Sequence, residues 1–147
     1  MRVADTVSMT FLVTLIGPII AFGLTRIWWW LWLVAAVLGV NVVVAGIKEL
    51  VAPVGTWARR PPGARGCDAL CMGGPVGGQP GFPSGHMTTA TMFVVAVWLR
   101  FREPVILWIG VPWIFAMAWA RWTKQCHNWQ QIVGGTVFGS LAAYFLV

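Results

Sequence analysis

The sequence predicts an all-α fold: a polytopic membrane helical bundle of about five transmembrane helices, with a long polar loop between spans two and three. Three observations carry that expectation. The 147-residue chain is 59% hydrophobic and only 10% charged, with a mean hydropathy of +0.77, whereas a soluble domain carries about 25% charged residues. The apolar residues fall into five runs. Six of the nine prolines and about half of the glycines crowd into one polar stretch, residues 48–85. The length fits one domain, so residues 1–147 are read as a single membrane-embedded unit whose motif-bearing part is about 48–147.

A helix needs about 20 apolar residues to cross a hydrocarbon core of about 30 Å. The first run extends from Thr6 to about Leu24, and Pro18 is expected to kink it. Arg2 ahead of it gives a weak positive n-region, so a signal peptide is the competing reading, although no clear small-residue cleavage site follows. The second run, Ile27 to Ile47, is interrupted only by Asn41, which is expected to hydrogen-bond a neighbouring helix. Thr25-Arg26 is a link short enough to make the first two spans an antiparallel hairpin. The third run begins at about His86 and ends at about Leu99. Arg100 to Pro104 form a polar turn, and the fourth run follows from Val105 to Ala120. Residues 121–131, RWTKQCHNWQQ, are a second polar insert. The fifth run starts near His127 or Ile132 and reaches Val147; its Gly135 and Gly139 permit close helix contact.

The net charge is +6, and eleven residues are tryptophan. Indole rings near the ends of apolar runs favour the membrane interface. A nucleic-acid binder would spread its basic excess over a polar face, and this chain has too little polar surface for one. Lipid headgroups or an anionic substrate fit the charge better. The three cysteines form no recognisable metal pattern. Their spacing leaves a Cys67–Cys71 disulfide in an oxidising compartment and free thiols both open.

The long loop exceeds the roughly 12–15 residues beyond which structureless loops are uncommon, and it must lie near the headgroups or pack against protein. Counting crossings puts the end of span two, the start of span three, the end of span four and the start of span five on one side. That face gathers Lys48, Arg59, Arg60, Arg65, Ser84, His86, Arg121, Lys124 and His127, and so holds both histidines of the chain. Arg2, Arg59, Arg65 and Lys124 are read as snorkelling to lipid phosphates. The remainder describe an anion site with two imidazoles. Ser84-Gly85-His86 opens a helix whose first N–H groups are free to bind an anion. No carboxylate pair suits metal-assisted hydrolysis, no Cys/His cluster has zinc spacing, and there is no P-loop. What remains is phosphoryl chemistry without metal or other cofactor: one imidazole attacks phosphorus, the other protonates the leaving oxygen, and cations hold the equatorial oxygens.

These residues resemble the type 2 phosphatidic acid phosphatases. That family shares three motifs: Lys, six residues, Arg-Pro; then Pro-Ser-Gly-His; then Ser-Arg, five residues, His, three residues, Asp. The second stands intact as Pro83-Ser84-Gly85-His86. The third appears as Ala120-Arg121, five residues, His127, three residues, Gln131. In the first, Lys48 and Arg60-Pro61 are separated by eleven residues instead of six, which leaves Arg59 and Arg60 both open as the ligand. The resemblance covers about Lys48 to the C-terminus. It implies that His127 is the nucleophile and forms a phosphohistidine, that His86 is the general acid, and that Lys48, Arg60, Ser84, Gly85 and Arg121 bind the phosphate. It also implies a lumenal or periplasmic site. The location of the site adds the substrate class: an interfacial centre meets headgroups more readily than soluble esters, so a lipid phosphate monoester or isoprenoid (pyro)phosphate is expected.

Three departures qualify these implications. Gln131 stands where the family has Asp, so it accepts a hydrogen bond from His127 and fixes its tautomer but supplies no charge. By analogy with a triad whose carboxylate becomes an amide, turnover is expected to fall by a factor of roughly 10 to 10,000, and Gln131→Asp is expected to raise it. Asp68 is the one loop acid that could stand in. Ala120 replaces the family Ser, and five spans replace the usual six. Two rivals stay open: a degenerate member that binds anionic headgroups without turning them over, and a non-enzymatic membrane protein such as a small channel or assembly subunit.

Overall fold

A computed structural model describes residues 3–68 and 71–146; Arg2 lies outside them. The first span is built of α1 (Val3–Met9), a 3-10 turn (Thr10–Leu12) and α2 (Val13–Thr25). Then come α3 (Trp29–Val51), α4 (Gly85–Phe101), α5 (Pro104–Thr123) and α6 (Trp129–Leu146). The fold is all-helical, and among the described residues only isolated bridges, Arg59 with Pro80 and Arg65 with Pro75, depart from that. Three segments are long and apolar enough to cross a membrane: Val3–Thr25, Trp29–Val54 and Pro104–Thr123. In the first, a 3-10 turn at Thr10–Leu12 precedes Pro18, which lies inside the α2 helix.

Helix α4 is the axis of the bundle, packed on α6, α5 and α3. Being sheathed by protein, it buries Thr88, Thr89 and Thr91, which a lipid-facing helix would tolerate poorly. The Asn41 amide of α3 donates to the Thr89 hydroxyl at 3.0 Å and to the Val37 carbonyl at 2.8 Å, the interhelical bond expected of a polar residue at membrane depth. Around this pair Leu33, Val37, Val40 and Val44 of α3 meet Met92 and Ala96 of α4 and Ala143 of α6. On the outside Ile16, Ile20, Val42, Trp108, Phe115 and Val137 are exposed, the lipid-facing pattern of a membrane bundle.

The glycines of α6 serve contact within the chain. A Cβ on Gly135 would sit 2.6 Å from the Ser84 carbonyl oxygen, and one on Gly139 would overlap the Thr88 carbonyl. Backbone against backbone is the closest approach two helices make, and it seats α6 directly behind the start of α4.

The loop between α3 and α4 is ordered by its own backbone. Arg60 N–H donates to the Gln79 carbonyl, Gly78 N–H to Arg60, and Val76 N–H to Ala64, so the chain goes out and returns alongside itself. A disulfide fastens the excursion, and it joins Cys67 to Cys126 across 59 residues, leaving Cys71 free. The local Cys67–Cys71 pairing is thereby corrected. Cys71 takes a left-handed conformation at φ 60°, while Cys67 turns inward toward the α5–α6 turn. Closing a loop of this size stabilises by about 4 kcal/mol in the chain-entropy account. Lys124 is likewise no snorkelling residue: its ammonium pairs with Asp5 at 2.7 Å and ties α1 to the end of α5.

The α4–α6 contact makes a testable distinction. Gly135→Ala is expected to cost about 1–3 kcal/mol through overpacking. Gly46→Ala, where an added Cβ meets nothing within 4 Å, is expected to leave stability unchanged or raise it by up to about 1 kcal/mol. Thermal unfolding in one detergent reads both.

Candidate active site

The start of α4, the end of α3, the loop and the α5–α6 turn converge on one cavity of about 260 Å³. Lys48, Arg60, Gly85, His86 and His127 all line it, with Asp68 as the only carboxylate among the described lining residues. Each enters from a different element. Lys48 stands in the last turn of α3. Gly85 and His86 are the first residues of α4, where backbone N–H groups have no intrahelical acceptor. Arg60 is held by the loop pairing with Gln79 and donates to the Cys126 carbonyl at 3.1 Å. Arg59 faces the other way; it is exposed and donates to the Gly78 carbonyl at 3.2 Å. The ambiguity between the two arginines is thus resolved toward the cavity for Arg60.

Arg121 and Ser84 sit behind the lining. Arg121 is fully buried near the end of α5 and donates to the carbonyl of Cys67, a lining residue, at 3.0 Å. Its Nε and remaining terminal nitrogen make no hydrogen bond of good geometry among the described residues, although Cys71 lies close to the guanidinium. Ser84 is the N-cap of α4, yet its hydroxyl makes no cap hydrogen bond and is buried without a partner among the described residues. Its N–H donates to the Gln131 carbonyl at 2.9 Å.

The histidines occupy different surroundings. His86 packs beside Phe11 of the first span, ring centroids 4.6 Å apart, with Nε2 buried and unpartnered among the described residues. His127 lies in the α5–α6 turn, just before α6. Its Nδ1 is 2.9 Å from Gln131 Oε1. The orientation of that amide follows from its other contacts. Gln131 Nε2 is 2.9 Å from the Trp57 carbonyl and 2.7 Å from the Arg59 carbonyl, and only an NH2 group serves two acceptors. Oε1 therefore faces His127 as an acceptor, Nδ1 carries the proton, and Nε2 keeps the lone pair. Gly81 makes room for this arrangement, because a Cβ there would meet the Gln131 amide at 2.7–2.9 Å.

Electrostatics keep His127 neutral. Burial pushes its pKa well below 6.5, and Arg60, Arg121 and Lys48 push the same way against the Gln131 hydrogen bond. Burial also lowers the Arg60 guanidinium from its ordinary value. Asp68 lines the cavity but is not hydrogen-bonded to His127. Its Oδ1 accepts from Met72 N–H at 3.0 Å, and the Nδ1 of His127 is already engaged by Gln131.

Sequence reasoning missed the Trp57 and Arg59 carbonyls, the Phe11 wall and the part of both disulfide cysteines. Carbonyl contacts leave no residue-type signal, and Phe11 is one apolar residue in an apolar run.

Residues 52–147 match the family model described as the PAP2 superfamily. Lys48, the first-motif residue, lies just ahead of the matched region. No match was found among curated proteins or among solved structures. A match over well over half of the chain, one that takes in Arg60, Gly85, His86 and His127 of the cavity, settles the grouping: this protein belongs to the PAP2 superfamily.

Proposed function

We propose that the chain hydrolyses a lipid phosphate monoester or isoprenoid (pyro)phosphate through a phosphohistidine at His127. Membership of the superfamily supports a phosphatase-type activity on phosphate esters; substrate and mechanism are the finer reading. The observation that carries it is the single cavity shared by His86, His127, Lys48 and Arg60. His127 Nε2 attacks phosphorus, the bond to the leaving alcohol breaks, and His86 gives that oxygen its proton. Water then attacks phosphorus, His86 takes the water's proton, and the N–P bond breaks to release phosphate. Lys48, Arg60, Arg121 and the Gly85 N–H hold the phosphoryl oxygens, with Ser84 setting the start of α4 behind them. A bound dianion raises the basicity of nearby imidazoles, which favours a protonated His86 once substrate has entered.

A metal-independent course is supported by the donor set: no group of three His, Cys, Asp or Glu side chains is placed to hold a metal ion among the described residues, and three cations would repel one. Lipid substrates are supported by three helices apolar enough to cross a membrane, with the cavity at the ends of α3 and α4. A lumenal or periplasmic face is supported by the Cys67–Cys126 bond, since disulfides persist in oxidising compartments. Gln131 favours the rival reading of a headgroup binder without turnover. Against it stands the tautomer that Gln131 imposes, which leaves a nucleophilic lone pair on His127.

Phosphate release from phosphatidate by detergent-purified protein, with chelator present, tests the proposal. His127→Ala is expected to lower turnover by at least about 1,000-fold, as loss of a covalent nucleophile does. Arg60→Ala is expected to lower kcat/KM by about 10- to 1,000-fold and Arg59→Ala by less than about two-fold. Chelator-sensitive release, or none from any lipid phosphate, would overturn the proposal.

The amide geometry reverses the expectation for Gln131→Asp. A shorter carboxylate would lose both donors to Trp57 and Arg59 and face their carbonyl oxygens with negative charge. Such a change costs about 2–5 kcal/mol. Turnover should therefore fall at least about ten-fold and the unfolding temperature should drop; Gln131→Glu should behave likewise. Higher activity in Gln131→Asp would refute this account.

The depressed His127 pKa has a sign. The folded chain keeps His127 neutral below pH 6.5 while the unfolded chain protonates it. This contribution to stability is thus fully present above about pH 6.5 and lost as pH falls toward the folded value, by up to about 1.4 kcal/mol per pH unit. Unfolding measured between pH 5 and 8 should show a shallower slope for His127→Gln than for the wild type.

A further inference from the structure

We propose that the Cys67–Cys126 disulfide is a positioning element of the phosphate cradle, so that the chain binds phosphate tightly only in its oxidised form. The two cysteines do more than close a loop. The carbonyl of Cys67 accepts from Arg121 at 3.0 Å, and the carbonyl of Cys126 accepts from Arg60 at 3.1 Å. Cys126 N–H in turn donates to the Arg121 carbonyl at 3.1 Å, and Cys126 directly precedes His127. One covalent bond therefore fixes the relative places of two backbone acceptors, each of which pins one N–H of a guanidinium. A guanidinium is a rigid plane with five donors. Pinning one corner of it determines where the others point. Both cysteines are buried, Cys67 at 6% exposure and Cys126 at 0%, so the bond belongs to the packed wall behind the cavity.

With the bond open, the loop is held to the α5–α6 turn by non-covalent contacts: hydrogen bonds and the packing of Ala64 and Val76 around the two cysteines. The two carbonyls are then free to move apart, and the two arginines lose their common reference. The cost falls on phosphate binding itself, which separates this role from simple stapling. The inference rests on the phosphate-binding reading of the cavity.

The test is a double-mutant cycle on equilibrium binding of inorganic phosphate to the detergent-purified full chain. All variants carry Cys71→Ser, so that no third thiol exchanges with the pair. The disulfide-bonded chain is compared with Cys67→Ala/Cys126→Ala, each with and without Arg60→Ala. Opening the pair is expected to weaken phosphate binding by at least about ten-fold. Arg60→Ala is expected to cost about ten-fold or more with the disulfide present and less than about three-fold without it, the non-additivity of groups acting as one unit. Additive losses, or an unchanged affinity, would reduce the bond to a staple and overturn the inference. The same readings on the Cys71→Ser chain reduced by a water-soluble phosphine, in which the S–S bond becomes two thiols and the phosphine its oxide, guard against a misfolded alanine pair. A reduced chain that unfolds outright at the assay temperature assigns the bond to the fold alone and likewise overturns it. Failure of the oxidised chain to bind phosphate at all would sink the cradle reading together with this one, and so is distinct from additivity.

Discussion

Two cations line a small cavity that has one carboxylate among its described residues, a third cation is buried behind it, and that imbalance of charge governs the rest of the site. Lys48 arrives from the end of α3, Arg60 from the loop and Arg121 from α5. Cations taken out of water are costly unless they are hydrogen-bonded and balanced. The two arginines each find a backbone carbonyl, which satisfies one donor and leaves the charge. The same positive field, added to burial, holds His127 neutral, the form in which an imidazole is a nucleophile. A dianion in the cavity would offset the charge that burial leaves exposed, and would relieve the repulsion among the three cations.

The loop supplies the acceptors for this arrangement, which gives its length a physical reason. Trp57 and Arg59 offer carbonyls to Gln131, Cys67 offers one to Arg121, and Cys126 in the opposing turn offers one to Arg60. A side-chain network of comparable reach would need acids, and the chain has only four. Backbone carbonyls orient cations without adding negative charge, so the field stays positive. The close seating of α6 on α4 through Gly135 and Gly139 then brings Gln131 and the start of α4 within one hydrogen bond of each other.

The helices were legible because membrane-length apolar runs are a strong signal, and because helix ends gather polar residues. The converging histidines and Lys48 followed from counting those ends. Other features were hidden for identifiable reasons. Arg59 and Arg60 are the same residue type side by side, and only the pairing of Arg60 with Gln79 decides which faces inward. A disulfide across 59 residues has no local signature, whereas the nearby Cys67 and Cys71 offer a misleading one. Lys124 and Asp5 lie at opposite ends of the sequence order, and their pairing depends on α1 packing against α5.

At Gln131 residue identity and local geometry point in different directions. Read as a lost acid, it describes a crippled site. Its two carbonyl partners describe a position built for an amide, because a carboxylate there would face oxygen on two sides. The consequences of the exchange have opposite signs. An amide leaves the site one unit more positive than an acid would, which strengthens attraction for the incoming dianion. It also withholds charge from the imidazolium-like phosphohistidine, so that intermediate is less stabilised than in a carboxylate site. On the proposed mechanism the net effect is a chain that favours binding over turnover. The choice of tautomer, which cost most in the triad precedent, is preserved here by geometry, and only the charge is given up.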